Sequence, residues 1–242
     1  MHSTPTSETV RRSARRVAGP RRELKIFVDG EDVAWARRVI RLHPAGFVPT
    51  YPPRWINSVY FDSPGLDNYE DNVAGIGNRR KTRIRWYGEL AGGSPPILEV
   101  KVRKNGMGWK IRYPLGTLDP IGRHAFEEIG AAVDAVVEPI DALVVREDRH
   151  AILANRYSRE YFRSADGQCD LTLDAGFRFF DQRYATRPNL TRAVPFDRGM
   201  VIELKFAAGL EPSVRRISSS FPYRLTKSSK YVIGVQSCFG VA

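Results

Sequence analysis

Cysteine and histidine are scarce in this chain. Its 242 residues include only two cysteines and four histidines. Cys169 and Cys238 stand far apart, which excludes a disulfide framework and zinc-ligand spacing and fits a reducing, cytoplasmic setting. His2, His43, His124 and His150 are scattered without ligand spacing, so a histidine-based metal centre is not expected. No apolar run is long enough to span a bilayer. Residues 1–20 carry Arg11, Arg12, Arg15 and Arg16 with no apolar segment behind them, which is not the pattern of a secretory signal; they are expected to form a flexible basic tail ahead of a single domain over 21–242. Neither a repeat of solenoid period nor a low-complexity tract is found. Acidic residues are in deficit: 27 Asp and Glu face 38 Lys and Arg, for a formal net charge of +11. Such a surplus draws anions, whether nucleic acid, phosphorylated small molecules, polyphosphate or acidic lipid. No recognised nucleic-acid module accompanies it, so a specific nucleic-acid partner is not expected.

What the chain has instead is an unusual alternation. Glu23-Leu24-Lys25-Ile26-Phe27, Lys81-Thr82-Arg83-Ile84-Arg85-Trp86, Glu99-Val100-Lys101-Val102-Arg103 and Glu203-Leu204-Lys205-Phe206 interleave charged and apolar residues at period two. On a strand that period collects the charges on one face and the apolar side chains on the other. Two arrangements produce it. One is an antiparallel sheet with a face in water. The other is a closed sheet whose charged faces line a basic tunnel. Lys81, Arg83 and Arg85 on one strand face would repel one another without an anionic partner.

Between these segments the reading is mainly β. Strands are expected at 23–28, 56–62, 79–88, 97–103, 109–113, 146–162, 171–180 and 200–206. Asn105-Gly106 is a hairpin signal. Helical spacing is found at 32–42, 121–138 and 212–220, with a short helix or turn at 66–74. The expected fold class is α+β, mainly antiparallel β: a closed barrel with peripheral helices.

The motifs occur in a telling order: Glu23-Leu-Lys25; Ser58-Val-Tyr-Phe-Asp62-Ser-Pro64-x-Leu66-x-x-Tyr69; Lys81-x-Arg83-x-Arg85-x-Tyr87-Gly88; Leu98-Glu99-Val-Lys101; Asn155-Arg156-Tyr157; Leu173-Asp174; Glu203-Leu-Lys205; Ser229-Lys230-Tyr231-x-x-Gly234. Together they resemble the VTC domain, the polyphosphate-polymerase branch of the triphosphate tunnel metalloenzymes, over nearly all of 21–236. The resemblance implies a tunnel that binds ATP with manganese or magnesium, passes the γ-phosphoryl group to a growing polyphosphate chain and releases ADP. It places Lys25, Arg83, Arg85, Lys101, Lys205 and Lys230 in catalytic positions, with Lys110, Arg156 and Lys227 as further substrate-binding cations. It makes Glu203 the metal-binding glutamate, and has Glu99 and Glu23, beside tunnel lysines, either support the metal or orient those lysines. Any contact with a membrane is left to a separate membrane-protein partner, and the oligomeric state stays open.

Phosphoryl transfer agrees with these residue types, because it asks for in-line positioning and for cations around the equatorial oxygens. Arginine forks grip phosphate oxygens in pairs, and lysine serves as a movable point charge. Two positions depart from the family pattern. Hydrolase relatives open with Glu-x-Glu-x-Lys, whereas Arg21 holds the first position here. That removes a metal carboxylate and argues against hydrolase or cyclase chemistry. The basic residue expected four positions before Asp174 is Asp170, and Arg178, four positions after it, is the candidate to compensate. Asp62 and Asp174 are expected to cap turns, and Lys227 and Lys230 to share a helix face.

Overall fold

A computed structural model describes residues 21–240 apart from 31, 105 and 106. The basic tail and the Asn105-Gly106 turn therefore lie outside the described residues. The elements run β1 (Arg21–Asp29), α1 (Val33–Arg41), β2 (Val48–Asp62), α2 (Asp67–Val73), β3 (Arg79–Tyr87), β4 (Ile97–Lys104), β5 (Met107–Pro114), α3 (Phe126–Val136), α4 (Pro139–Glu147), β6 (His150–Arg163), β7 (Cys169–Asp181), β8 (Val194–Phe196), β9 (Gly199–Ala207), α5 (Glu211–Ser219) and α6 (Lys230–Phe239). Among the described residues the fold is α+β, as the alternation implied, with nine strands in one mainly antiparallel sheet.

The strand order is β1-β9-β7-β6-β2-β3-β4-β5, with β8 paired to β7. β1 and β5 are the two edges, so the expected closed barrel is not closed by backbone hydrogen bonds. Other contacts bridge the gap. Lys101 on β4 reaches Glu23 on β1 at 3.7 Å. The stretch before α6 runs along the free edge of β1, where the Thr226 N–H donates to the Lys25 carbonyl and the Phe27 N–H to the Thr226 hydroxyl. Lys81 on β3 then donates to the Ser229 hydroxyl at 2.8 Å. The sheet curves into a trough that side chains and a C-terminal strap draw together.

Apolar residues of the alternating strands cover the convex face. One cluster packs Ile26, Leu171, Ile202 and Leu204 under α1 and α5, through Ala36, Ile40 and Val214. Another packs Ile84, Trp86, Leu98, Val100 and Ile111 under α3 and α4, through Ile129, Val133 and Val145. Each such buried aliphatic side chain stabilises the fold by about 1.5–3 kcal/mol, which holds the charged alternate positions on the concave face. A third cluster lies on that face, where Tyr60, Tyr157, Phe177 and Phe179 meet Tyr231 and Val235 of α6. Gly234 permits this docking, since a β-carbon there would stand 2.3 Å from Leu153 Cδ2 and 2.6 Å from Phe179 Cδ1.

The boundaries correct several expectations. The helical stretch after residue 121 divides into α3 and α4, and α4 takes Arg146 and Glu147 from the strand expected there. The helix expected to carry both Lys227 and Lys230 starts only at Lys230, so the two do not share a helix face. Asp62 is a cap as expected: it accepts the backbone N–H groups of Ser63, Asn68 and Tyr69, and the Tyr231 hydroxyl at 2.6 Å.

Candidate functional site: a cationic trough with two carboxylate nests

Directly paired residues in a sheet point to the same side, so the register fixes what lines the concave face. Across β3, β4 and β5, Lys81 stands opposite Lys101 and Lys101 opposite Lys110. The next row is Arg83, Glu99 and Arg112. Across β1, β9 and β7, Lys25 stands opposite Glu203, and Glu203 opposite Thr172. Glu23 pairs with Lys205 one step away. Lys81, Lys101 and Lys110 abreast are like charges that repel unless an anion lies over them.

Two nests of charge organise the trough. In the first, Asp174 of β7 receives both Arg159 of β6, at 2.5 Å, and Lys230 of α6, at 2.6 Å. Glu203 of β9 takes Lys230 at 2.9 Å, Lys205 at 3.1 Å, Arg159 at 3.4 Å and Lys25 at 3.7 Å. Asp174 is fully buried and Glu203 nearly so. Burial pushes both carboxyls up, but Lys230 and Arg159 outweigh it and hold Glu203 well below the usual carboxylate range, with Asp174 lowered too. The same carboxylates raise Lys230 against its burial.

In the second nest a single carboxylate is surrounded. Glu99 of β4 is paired with Arg83 at 2.7 Å, Arg112 at 3.1 Å, Arg85 at 3.7 Å and Lys110. Burial pushes Glu99 up, and Arg83, Arg85 and Lys110 pull it far below its ordinary range. Lys110 falls to about 7, from burial and from Arg83, only partly opposed by Glu99. Lys81 is lowered well below the ordinary lysine value by burial and by Lys25, Arg83 and Lys101. Tyrosines join the nests: Arg83 donates to the Tyr60 hydroxyl at 3.3 Å, Arg85 to the Tyr157 hydroxyl at 3.4 Å, and Lys230 lies 5.2 Å from the Tyr157 ring centroid.

Lys25, Arg83, Arg85, Lys110, Lys205, Lys230, Glu99 and Glu203 are thus gathered on one face. Lys101 lies at the gap with its side chain 63% exposed. Three expected cations are elsewhere. Arg156 points to the convex side, where its guanidinium covers Trp55 at 4.4 Å and donates to Asn57. Arg178, paired with Arg156, is exposed on that same side. The cause is a bulge: β7 places Gly176 (φ +65°) and Phe177 opposite the single residue Tyr157, which reverses the inward parity after Asp174. Arg178 therefore does not compensate for Asp170. Lys227 is exposed beside Gly75, outside α6.

Asp174 is no turn cap; it sits mid-strand, ion-paired. Arg159 and Lys81 escaped the sequence reading. Lys81 belongs to the alternating segment and carried a signal. Arg159 follows Tyr157 by two, which is the inward spacing, but the neighbouring Arg156 drew attention to the wrong parity.

A divalent ion is implied by the family resemblance, and the donors can be judged directly. Lys25 Nζ lies 3.0 Å from Glu23 and 3.7 Å from Glu203, so two carboxylates face a common point. The Thr172 hydroxyl, opposite Glu203 in register, is buried without a hydrogen-bond partner. These oxygens are hard donors suited to magnesium or manganese. Among the described residues no three His, Cys, Asp or Glu side chains form a metal cage, so such an ion would be completed by phosphate oxygens. Glu99 has both oxygens taken by cations and orients them rather than facing a second carboxylate.

The family model of the VTC domain matches residues 20–239. This chain belongs to the VTC-domain family. Comparison with curated proteins found no match. Among solved structures, this VTC domain is similar to the PH1819 protein from Pyrococcus horikoshii, at 12% identity, covering 90% of this chain and 98% of that one with a TM-score of 0.49. It is also similar to an adenylyl cyclase candidate from Hippeastrum with a dominant triphosphatase activity, at 18% identity, covering 88% and 94% with a TM-score of 0.49. An adenylate cyclase candidate from Vibrio parahaemolyticus aligns at 12% identity over 89% and 97%, also with a TM-score of 0.49.

Proposed function

We propose that this VTC domain is an ATP-dependent polyphosphate polymerase that moves the γ-phosphoryl group of ATP onto a polyphosphate end held in the trough. The observation that carries the reading is the imbalance of the concave face. Among the described residues, Lys25, Lys81, Arg83, Arg85, Lys101, Lys110, Arg112, Arg159, Lys205 and Lys230 there face five carboxylates, Glu23, Glu99, Asp170, Asp174 and Glu203. Cations in such excess on one face call for a polyanion. Arg83 and Arg85, held in place by Glu99, Tyr60 and Tyr157, present forks to phosphate oxygens. The Lys81–Lys101–Lys110 row offers point charges along an extended chain. Lys230 and Arg159, fixed by Asp174, stand where charge develops on transfer. Glu203 and Glu23, with the Thr172 hydroxyl, are the groups that would hold manganese or magnesium. When bound, the ion neutralises charge on the bridging and terminal phosphate oxygens.

The test is the product. Purified protein given ATP and manganese should yield long polyphosphate and ADP. Orthophosphate as the main product would instead make it a triphosphate hydrolase. A second reading, a module that binds polyphosphate or nucleotide without turnover, draws on one feature: Asp174 and Glu203 are fully engaged with Lys230 and Arg159. ATP binding without any product would establish it.

A further inference from the structure

The two helical layers on the convex face are opposite in charge. α1 and α5 together carry five arginines and one acid, Glu211. α3 and α4 carry five acids and one arginine, Arg146. α1 and α5 form one surface: both bury into the same cluster, and His43, just after α1, has its Nε2 3.0 Å from the Ile217 carbonyl of α5. Arg37 is paired with Glu160 at 2.8 Å. No described carboxylate pairs with Arg38, Arg41, Arg215 or Arg216; Arg216 donates only to the Ser213 hydroxyl. Beside these cations two large apolar side chains are exposed, Trp35 of α1 at 46% and Leu42, the residue that caps its C-terminus, at 73%.

We propose that the outer face of α1, with α5 beside it, docks onto an anionic lipid bilayer. The buried stripe through Ala36 and Ile40 already anchors α1 to the sheet, and Trp35 and Leu42 lie outside that stripe with large exposed surfaces. Tryptophan favours the headgroup region, and a leucine flanked by arginines can enter the acyl boundary while the guanidinium groups meet lipid phosphates. A polynucleotide would use the arginines and leave Leu42 idle. The acidic layer of α3 and α4 would be repelled by the same surface and so orient the protein. This inference stands independently of the proposed polymerase activity.

Co-sedimentation of the full chain with vesicles tests it, using phosphatidylcholine alone or mixed with phosphatidylglycerol. Binding is expected only to the mixed vesicles, with a blue shift of tryptophan emission that disappears in Trp35→Phe. The double variant Arg38→Glu/Arg41→Glu should lower the partition coefficient on the order of tenfold or more, and Leu42→Ser should lower it less. Both positions are exposed, and circular dichroism will verify the fold. Undiminished vesicle binding by the double variant would overturn the proposal, because the tail or the trough would then hold the lipid phosphate. So would equal binding to uncharged vesicles, or binding to duplex DNA with none to vesicles.

Discussion

The two carboxylate nests of the trough are built from the same alternating strands and differ in balance. Around Asp174 and Glu203 two acids share Arg159 and Lys230, with Lys25 and Lys205 at the side. Around Glu99 one acid meets Arg83, Arg85, Lys110 and Arg112. The first nest has two acids for four cations and faces a third carboxylate, Glu23, across Lys25, so its positive surplus is smaller than that of the second. It suits a cation and the chemistry of transfer. The second keeps surplus positive charge against the Lys81–Lys101–Lys110 row, so it suits holding an anion. The difference lies in strand order: β9 and β7 bring two acidic positions side by side, and β4 stands between two basic strands.

That division can be broken by experiment. Glu203→Ala is expected to have the largest effect, lowering metal-dependent turnover on the order of 100-fold or more while polyphosphate still binds; unchanged activity would remove Glu203 from the chemistry. Asp174→Ala leaves Lys230 and Arg159 buried without their shared carboxylate, and should cost about 3–5 kcal/mol of stability by chemical denaturation. A loss under about 1 kcal/mol would mean that Glu203 alone can satisfy both cations.

Lys110 sharpens the other side of the comparison. Its folded value is about 7 against 10.5 ordinarily, so the unfolded chain binds more protons between those values. Stability should therefore rise with pH from about 7 toward the ordinary lysine range. Polyanion affinity should move the opposite way, weakening as pH rises through about 7, and Lys110→Arg should flatten that dependence in titration calorimetry. A flat profile in the parent protein would exclude Lys110 from the anion-binding nest. The smallest effect is expected for Arg156→Ala and Arg178→Ala, which lie on the convex side and should leave polyphosphate affinity within about twofold, as for surface positions generally. A tenfold loss in either would place those arginines at the bound chain after all.

Residues 23–27, 81–86, 99–103 and 203–206 determined by themselves which side chains share a face, because period two on a strand leaves no choice. Motif order was enough to suggest the family, and Asp62 was readable as a cap from its place before Ser63-Pro64-Gly65. The sequence did not determine which face turned inward around the trough. That depended on convex-side apolar residues finding α1, α5, α3 and α4 to cover them. Nor did it reveal that Gly176 inserts a residue and sends Arg178 outward, that Arg159 rather than Arg156 meets Asp174, or that β1 and β5 do not pair with each other while a C-terminal strap spans the gap. Each of these hangs on strand register between segments far apart in the chain, and register is settled only when whole faces pack together.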